Sequence, residues 1–463
     1  MKKIVVLFFL LILIVNVSAI AYSKKVFPTF SNPQIIINPY EKSPLTAIVK
    51  FETEEPTEIT IRIYGKDNFA HIVHTISGFN TQHEIPLLGL YAGQKTKVDL
   101  IARTKNGTDY MTTIYPETSK IGHRGLFFVK QSEKKQNDFW FFTDGIVLDE
   151  NGDIRFNFYA PNQAVYFLSG ELIVENRALG LERYSLLGKL LKKYPFPTDF
   201  TSFSHGIAQK DNKNFLVIGS FANSTAVING NKVKTQRDYI IEIDYTTGAM
   251  LHSWDLGELL NPNRTALVQA EATDYGLNDF CHLNSVQYIA DDKSIICSCR
   301  NFGVFKIDTL NNKLKWIISP NVGLDKSGRS GTGKSLENKV LTAIDSNGKI
   351  LSETIQKGYA KHDFFKWPTS THHARFWGKG LISIYDNSGP VYDKKLVTTL
   401  ESLASVYRID EKNKTIMQLL KIPQECFSAE ASAVLVDTDN REITTFTSRC
   451  FDKAQIGLAI GYL

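Results

Sequence analysis

Beyond residue 21 the chain holds no apolar run long enough to cross a bilayer as a helix, so no helical membrane domain is expected there. Cysteine is scarce: the chain has five, an odd number that cannot all pair internally. Cys426 and Cys450 offer a bridge between two late strands. Cys297 and Cys299 share one strand face and are poorly placed to bond each other. Neither charge sign dominates: 53 Lys and Arg stand against 48 Asp and Glu, a net charge of +5. There is no basic block and no arginine–aromatic stripe, so nucleic acid is not the expected partner. Convincing helical periodicity is almost absent too, which argues against an α/β chain.

What the chain does have is room and apolar content. Its 463 residues, 43% of them hydrophobic, suffice for two or three domains and a large core. Lys2 and Lys3 precede the apolar run Ile4 to Val15, and small residues follow at Ser18, Ala19 and Ala21. Residues 1–21 therefore read as a secretory signal peptide, with an uncleaved anchor as the alternative. Cleavage after Ala19 or Ala21 fits equally, and the mature chain is expected outside the cytosol.

From residue 22 to 117 short β-branched runs alternate with Pro, Gly, Asn and Asp: Ile35–Ile37, Ala47–Phe51, Ile59–Ile63, Lys97–Ile101 and Tyr110–Ile114. That pattern predicts an immunoglobulin-like β-sandwich. From 118 to 463 one phrase recurs: an apolar strand closing on Asp, a polar turn, another apolar strand. It appears at Asp149, Asp244, Asp308, Asp345, Asp410 and Asp437. Such hairpins with almost no helix predict a β-propeller, and roughly six blades divide the length into familiar units. Two stacked sandwiches remain the alternative. The expected fold is thus all-β.

A propeller gathers the starts of its inner strands around one opening, and three histidine segments hold that address: Ser204-His205-Gly206, Cys281-His282-Leu283-Asn284, and Thr371-His372-His373. In a strand, residues i and i+2 face one side, so His282 and Asn284 can look at one site. Arg300, one hairpin later, adds a cation to a set suited to a tetrahedral oxyanion. Cys281, His282, Cys297 and Cys299 could be drawn as a zinc site, but their separations fit no standard knuckle spacing. Gly328 to Ser335 satisfies the Walker A pattern. Pro320 and seven further residues separate it from the strand before, and no helix of a parallel sheet follows, so it reads as a glycine-rich surface loop.

These residues together resemble the bacterial aryl-sulfate sulfotransferases. The likeness rests on His282-Leu283-Asn284-Ser285, on Arg300 ahead of Gly303 and Lys306-Ile307-Asp308, on Trp367 to His372 with Ala374, and on Tyr385-Asp386-Asn387-Ser388-Gly389. It implies an N-terminal β-sandwich followed by a six-bladed propeller, and ping-pong exchange between aryl sulfates and phenols. It places the nucleophile, transiently sulfated, on His372, with His282, Asn284, Arg300 and His205 around the sulfuryl oxygens. No cofactor and no nucleotide sulfate donor take part. The partners implied are a small phenolic sulfate donor and a phenolic acceptor, in the periplasm, with the chain a homodimer. The family usually has Gln-His-Thr where this chain reads Thr371-His372-His373, so His373 stands as the alternative nucleophile. The family's closely spaced disulfide pair has no obvious counterpart here. A secreted propeller that only binds a sulfated glycan or a partner protein is the rival reading. A cysteine-type sulfatase would need a Cys-x-Pro-x-Arg run, which is absent.

Overall fold

The computed structural model describes residues 30–122, 139–142, 145–149, 151–161, 163–176, 180–196, 199–264, 267, 277–388, 391–399, 402–424, 428–437, 442–450 and 458–462. The signal segment 1–21 and the proposed Cys426–Cys450 bridge lie outside the described residues. No described helix is long and apolar enough to cross a membrane.

The N-terminal sheet runs from Gln34 to Ile114 and has five strands. Two of the expected strands, at 47–51 and 59–63, are halves of one 19-residue strand, Thr46–Tyr64. Its first half pairs with Gln34–Ile37 and its second with Val98–Thr104. Ala70–Leu88 pairs along its whole length. That long partner was not legible in the sequence, because its exposed middle, Ser77–Gln82, breaks the apolar alternation. Register shifts between Glu52 and Ile59 bend the sheet, so both halves cover one core that includes Val49, Phe51, Ile61, Leu87 and Leu100.

Among the described residues six sheets of consecutive antiparallel strands follow, with a two-stranded hairpin, Thr225–Ile228 and Asn231–Lys234, inserted in the third. The third sheet holds Phe200–Gln209, Asn214–Phe221, Tyr239–Asp244 and Met250–Asp255. The fourth holds Leu283–Ile289, Ser294–Cys299, Gly303–Asp308 and Lys313–Ile318. The fifth begins with Thr371–Gly378 and Leu381–Asp386 and ends with Thr415–Pro423. Its outer edge is completed by the parallel strand Thr342–Ala343. First strands of successive sheets pack against one another: the third on the fourth, the fourth on the fifth, the fifth on the sixth. The two described α-helices have four residues each.

The recurring aspartate has a local physical cause. Asp149 Oδ1 accepts from the backbone N–H groups of Asn151 and Asp153, each at 3.0 Å. Asp308 does the same for Leu310 and Asn311, and Asp410 for Asn413. Each carboxylate closes an Asx-type turn between two strands, satisfying donors that the ladder leaves free.

The N-terminal sheet is fastened to the next by a buried cation. Arg155, 1% exposed, donates from Nε to Gly89 O at 2.9 Å and from Nη1 to Tyr91 Oη and Asp149 Oδ2, both at 3.1 Å. Replacing Arg155 by Met leaves the Asp149 charge buried and unpaired. The expected loss of stability is about 3–5 kcal/mol, read from denaturant unfolding.

Candidate active site at the strand heads

The histidine segments depart from regular strand. His205, His282 and His373 have φ of 66°, 50° and 42°, a left-handed backbone that side chains with a Cβ seldom adopt. His205 and His373 lie inside breaks in ladder register, at Phe203–Ile207 and His372–Arg375, and His282 immediately precedes one at Leu283–Ser285. Bulges of this kind re-aim side chains at the ends of strands, and the strain is sustained by the surrounding bonds. The simple alternation that separates His372 from His373 therefore does not apply, and their surroundings distinguish them instead.

His205 and His282 meet edge to face, ring centroids 5.1 Å apart. Asp279 holds His282 twice: Oδ1 accepts its backbone N–H at 3.1 Å, and Oδ2 accepts Nδ1–H at 2.6 Å. Arg237 donates Nη2–H to the same Oδ2. His372 donates Nδ1–H to Asn387 Oδ1 at 2.5 Å. With that nitrogen protonated, Nε2 carries the free lone pair. Asn387 is held in turn by its neighbours. Its backbone N–H bonds Ser370 O at 2.9 Å, and its carbonyl accepts from Ser402 Oγ at 2.8 Å. Asp386 Oδ1 binds the N–H groups of Ser370 and Ser388, while Oδ2 pairs with Lys366 at 2.7 Å. The Tyr-Asp-Asn-Ser stretch is therefore a brace for the His372 strand head.

Asn284 donates Nδ2–H to Thr371 O at 2.8 Å, joining the fourth sheet to the fifth beside His372. Its Oδ1 is buried with no hydrogen-bond partner among the described residues. Thr371 Oγ1 donates to Cys299 O at 2.8 Å. Cys281 and Cys299 form a disulfide, leaving Cys297 free and buried. The bond consumes two of the thiols drawn into the zinc set, which it sets aside, and the described residues include no other metal-type cluster. It also staples the residue before His282 to the residue before Arg300, and Arg300 N–H bonds His282 O at 3.1 Å.

The charges of His205, His282, Arg300 and His372 act on one another. Desolvation by the surrounding protein, then the charges of His282, Arg237 and His372, lower His205, whose surface nevertheless stays open to solvent. Burial lowers His282 as well; Asp279 opposes this, and Arg237 and Arg300 add to it. For His372, burial outweighs the Asn387 hydrogen bond, and with His282, Arg300 and His373 nearby the pKa falls to about 3. His373, lowered to about 4 by burial and by Arg375, faces a different cation and has no partner at Nδ1 among the described residues. Asp279 is pushed up by burial, yet its bonds to His282 and Arg237 win and hold it at about 2, fully ionised. At neutral pH the site thus contains three uncharged imidazoles, one carboxylate and two guanidiniums.

Asp279, Asn387 and Arg237 were not assigned roles from the sequence. Asp279 lies three residues before His282, and Asn387 sits inside a motif already noted, so both were within reach. Arg237 comes from a turn with no local signal. The Walker-like loop is pinned by its arginine: Arg329 Nη2 bonds Asp238 at 2.9 Å and Asp255 at 2.6 Å. A cavity of about 330 Å³ lined by Lys313, Trp316, Lys339 and Lys414 lies at the far end of the fourth sheet, away from these residues.

Two outcomes follow from this geometry. The imidazoles of His282 and His372 bind protons less readily folded than unfolded, so the unfolded chain takes up more protons below the free imidazole value of 6.5. Stability present above that pH is lost as the pH falls toward about 3, and denaturant midpoints between pH 7.5 and 5 should decline, less so in His372→Asn. Replacing Cys281 and Cys299 together by Ala frees both site residues from their staple. Turnover should drop about tenfold or more, while circular dichroism at 25 °C shows the β-structure retained.

Comparison with known proteins identifies the family. The profile of the family described as Arylsulfotransferase (ASST) matches residues 112–454, and that of the Arylsulfotransferase Ig-like domain matches residues 34–119. Two relatives named arylsulfate sulfotransferase AssT, from Escherichia coli O6:H1 and Lelliottia amnigena, are each 23% identical, covering 84% of this chain and 80% of their own length. Among solved structures, BamB from Moraxella catarrhalis covers 93% of this chain and 96% of its own at a TM-score of 0.33 and 10% identity, too loose a superposition to fix the sheet arrangement. With its family profiles spanning the N-terminal sheet and nearly all that follows, the chain belongs to the arylsulfotransferase family.

Proposed function

We propose that this chain moves a sulfuryl group from an aryl sulfate ester to a phenol by a ping-pong reaction through a sulfohistidine on His372. One observation carries the reading. His372 is uncharged, its Nδ1–H is fixed by Asn387, and it stands beside His282 and Arg300.

Sulfuryl transfer parallels phosphoryl transfer, with charge spread over the peripheral oxygens in a loose transition state. Positioned cations and donors then supply most of the acceleration. Arg300 forks two N–H donors onto those oxygens, and His205 and the remaining amide hydrogen of Asn284 complete the cradle. His372 Nε2 attacks sulfur, the N–S bond forms, and the S–O bond to the aryl group breaks with its electron pair on the aryloxide. The negative donor beside His282 draws a solvent proton onto Nε2, and that proton passes to the departing oxygen. In the second half the acceptor hydroxyl gives its proton to His282 Nε2 as its oxygen attacks sulfur and the N–S bond breaks. His282 then returns its proton to solvent, and the sum is an exchange of the sulfuryl group between two phenols. Phenols suit this because their pKa near ~10 makes the aryloxide a tolerable leaving group.

On the same reading the six successive sheets close into a six-bladed propeller whose inner strand heads form the site. Residues 22–117 form the sandwich and 118–463 the propeller, and residues 1–21 direct the chain to the periplasm.

The test is mass spectrometry of enzyme quenched after a nitrophenyl sulfate alone. The expected result is an added sulfuryl group on a peptide containing His372, removed on adding phenol. His372→Asn should lower kcat by about 10⁴-fold or more without unfolding the chain. A label on His373, or turnover retained in the His372 variant, would move the nucleophile. Binding of the ester without any exchange would leave the secreted binding protein.

A further inference from the structure

We propose that Arg237 is a positioning residue for this reaction: by sharing one oxygen of Asp279 with His282 it governs how firmly that carboxylate holds the His282 ring, and Arg329 of the glycine-rich loop locks the turn that presents it. The inference rests on the sulfuryl-exchange reading, with His282 as the group that carries the proton.

The geometry is a three-way contact. Asp279 Oδ2 accepts from His282 Nδ1 at 2.6 Å and from Arg237 Nη2. The Asp279 and Arg237 side chains are only 7% and 17% exposed, so solvent screens the contact little. A buried carboxylate bound only to an imidazole would favour the imidazolium strongly. A guanidinium on the same oxygen withdraws part of that attraction and adds a direct repulsion. Among the described residues around His282, Asp279 stands as the one opposing charge, Arg237 and Arg300 as cations, and His205 and His372 as neutral rings. Arg237 therefore adds to burial in keeping His282 from being locked in its protonated form, which would donate once and fail to accept from the second phenol.

The turn that carries Arg237 is held from both sides. Arg237 has a left-handed backbone, φ 52°, and its N–H bonds Ser220 Oγ at 2.7 Å. On the site side, Gln236 N–H bonds Asn278 O at 3.0 Å and Asn278 N–H bonds Lys234 O at 2.7 Å, tying the turn to the residue before Asp279. On the other side, Arg329 Nη2 bonds Asp238 Oδ2 at 2.9 Å and Nη1 bonds Thr235 Oγ1 at 3.2 Å, while Thr235 Oγ1 also donates to Asp238 at 2.6 Å. The loop that mimics a nucleotide site thus acts through its arginine rather than through its glycines or Lys334.

The test follows the His282 ring by NMR in full-length protein with labelled histidine, alongside the pH profile of kcat/KM for a nitrophenyl sulfate with phenol. Arg237→Gln should raise the His282 titration midpoint by about one unit and move the acid limb of the profile up with it. Asp279→Asn should shift both downward, and Arg237→Lys should restore most of the wild-type midpoint. Arg329→Gln should move the midpoint in the Arg237→Gln direction by less. A purely structural role would lower activity at all pH values without moving the midpoint, and that outcome, or same-direction shifts in Arg237→Gln and Asp279→Asn, overturns the proposal. Should the wild-type chain show no sulfuryl exchange, the NMR midpoints still decide the Arg237 assignment separately from the reaction.

Discussion

Two hydrogen bonds at Thr371 hold the site together. Its carbonyl accepts from Asn284 and its hydroxyl donates to Cys299 O, so the heads of the fourth and fifth sheets are bound at one depth. His282, Arg300 and His372 each lie within two residues of that stitch. Thr371 is fully buried, so neither bond has water as a competitor. The disulfide between Cys281 and Cys299 reinforces the same point on the fourth sheet alone. Further along the same two strands Gln287 bonds the N–H and carbonyl of Phe376, but at the heads themselves the Thr371 stitch holds the spacing that chemistry needs.

The site holds strain and charge in balance. Left-handed residues occur at His205, Arg237, His282, His373 and Ser388; Arg237 N–H is held by Ser220 Oγ, and Ser388 Oγ bonds Thr399 Oγ1. Burial favours uncharged imidazoles, while the carboxylate of Asp279 and the guanidiniums of Arg237 and Arg300 pull in opposite directions on His282. Desolvation is the largest of these effects on every histidine of the cluster. A bound anion would reverse its consequence, because a negative charge in a dry site favours a proton on the nearest imidazole.

The recurring hairpins carry the scaffold with little sequence identity. Aspartates at the ends of strands fold back on their own turn amides, and apolar residues on both strand faces pack between adjacent sheets. Ile296 and Val304 of the fourth sheet share a core with Ile382 and Ile384 of the fifth. Parallel burial on both faces explains why the strands read as continuous apolar runs rather than as alternating ones.

The all-β character, the Asp-closed turns and the three histidine segments were legible because each is written in a few adjacent residues. Asn284, Arg300 and His372 could be picked out for the same reason. Other features depend on contacts between residues far apart. The single long strand Thr46–Tyr64 bends through a polar stretch that local pattern reads as a break. The Cys281–Cys299 bond joins residues 18 apart across a register shift that spacing cannot reveal. Arg237 reaches Asp279 from another sheet's turn, and Arg329 reaches that turn from a loop almost a hundred residues further on. The sequence alone determined which residue types would be available, since apolar runs and turn formers act locally. Which imidazole is oriented by a carboxylate, which by a carboxamide, and which cation tempers them was decided only when the sheets packed, because charge and hydrogen bonding act through distance in space.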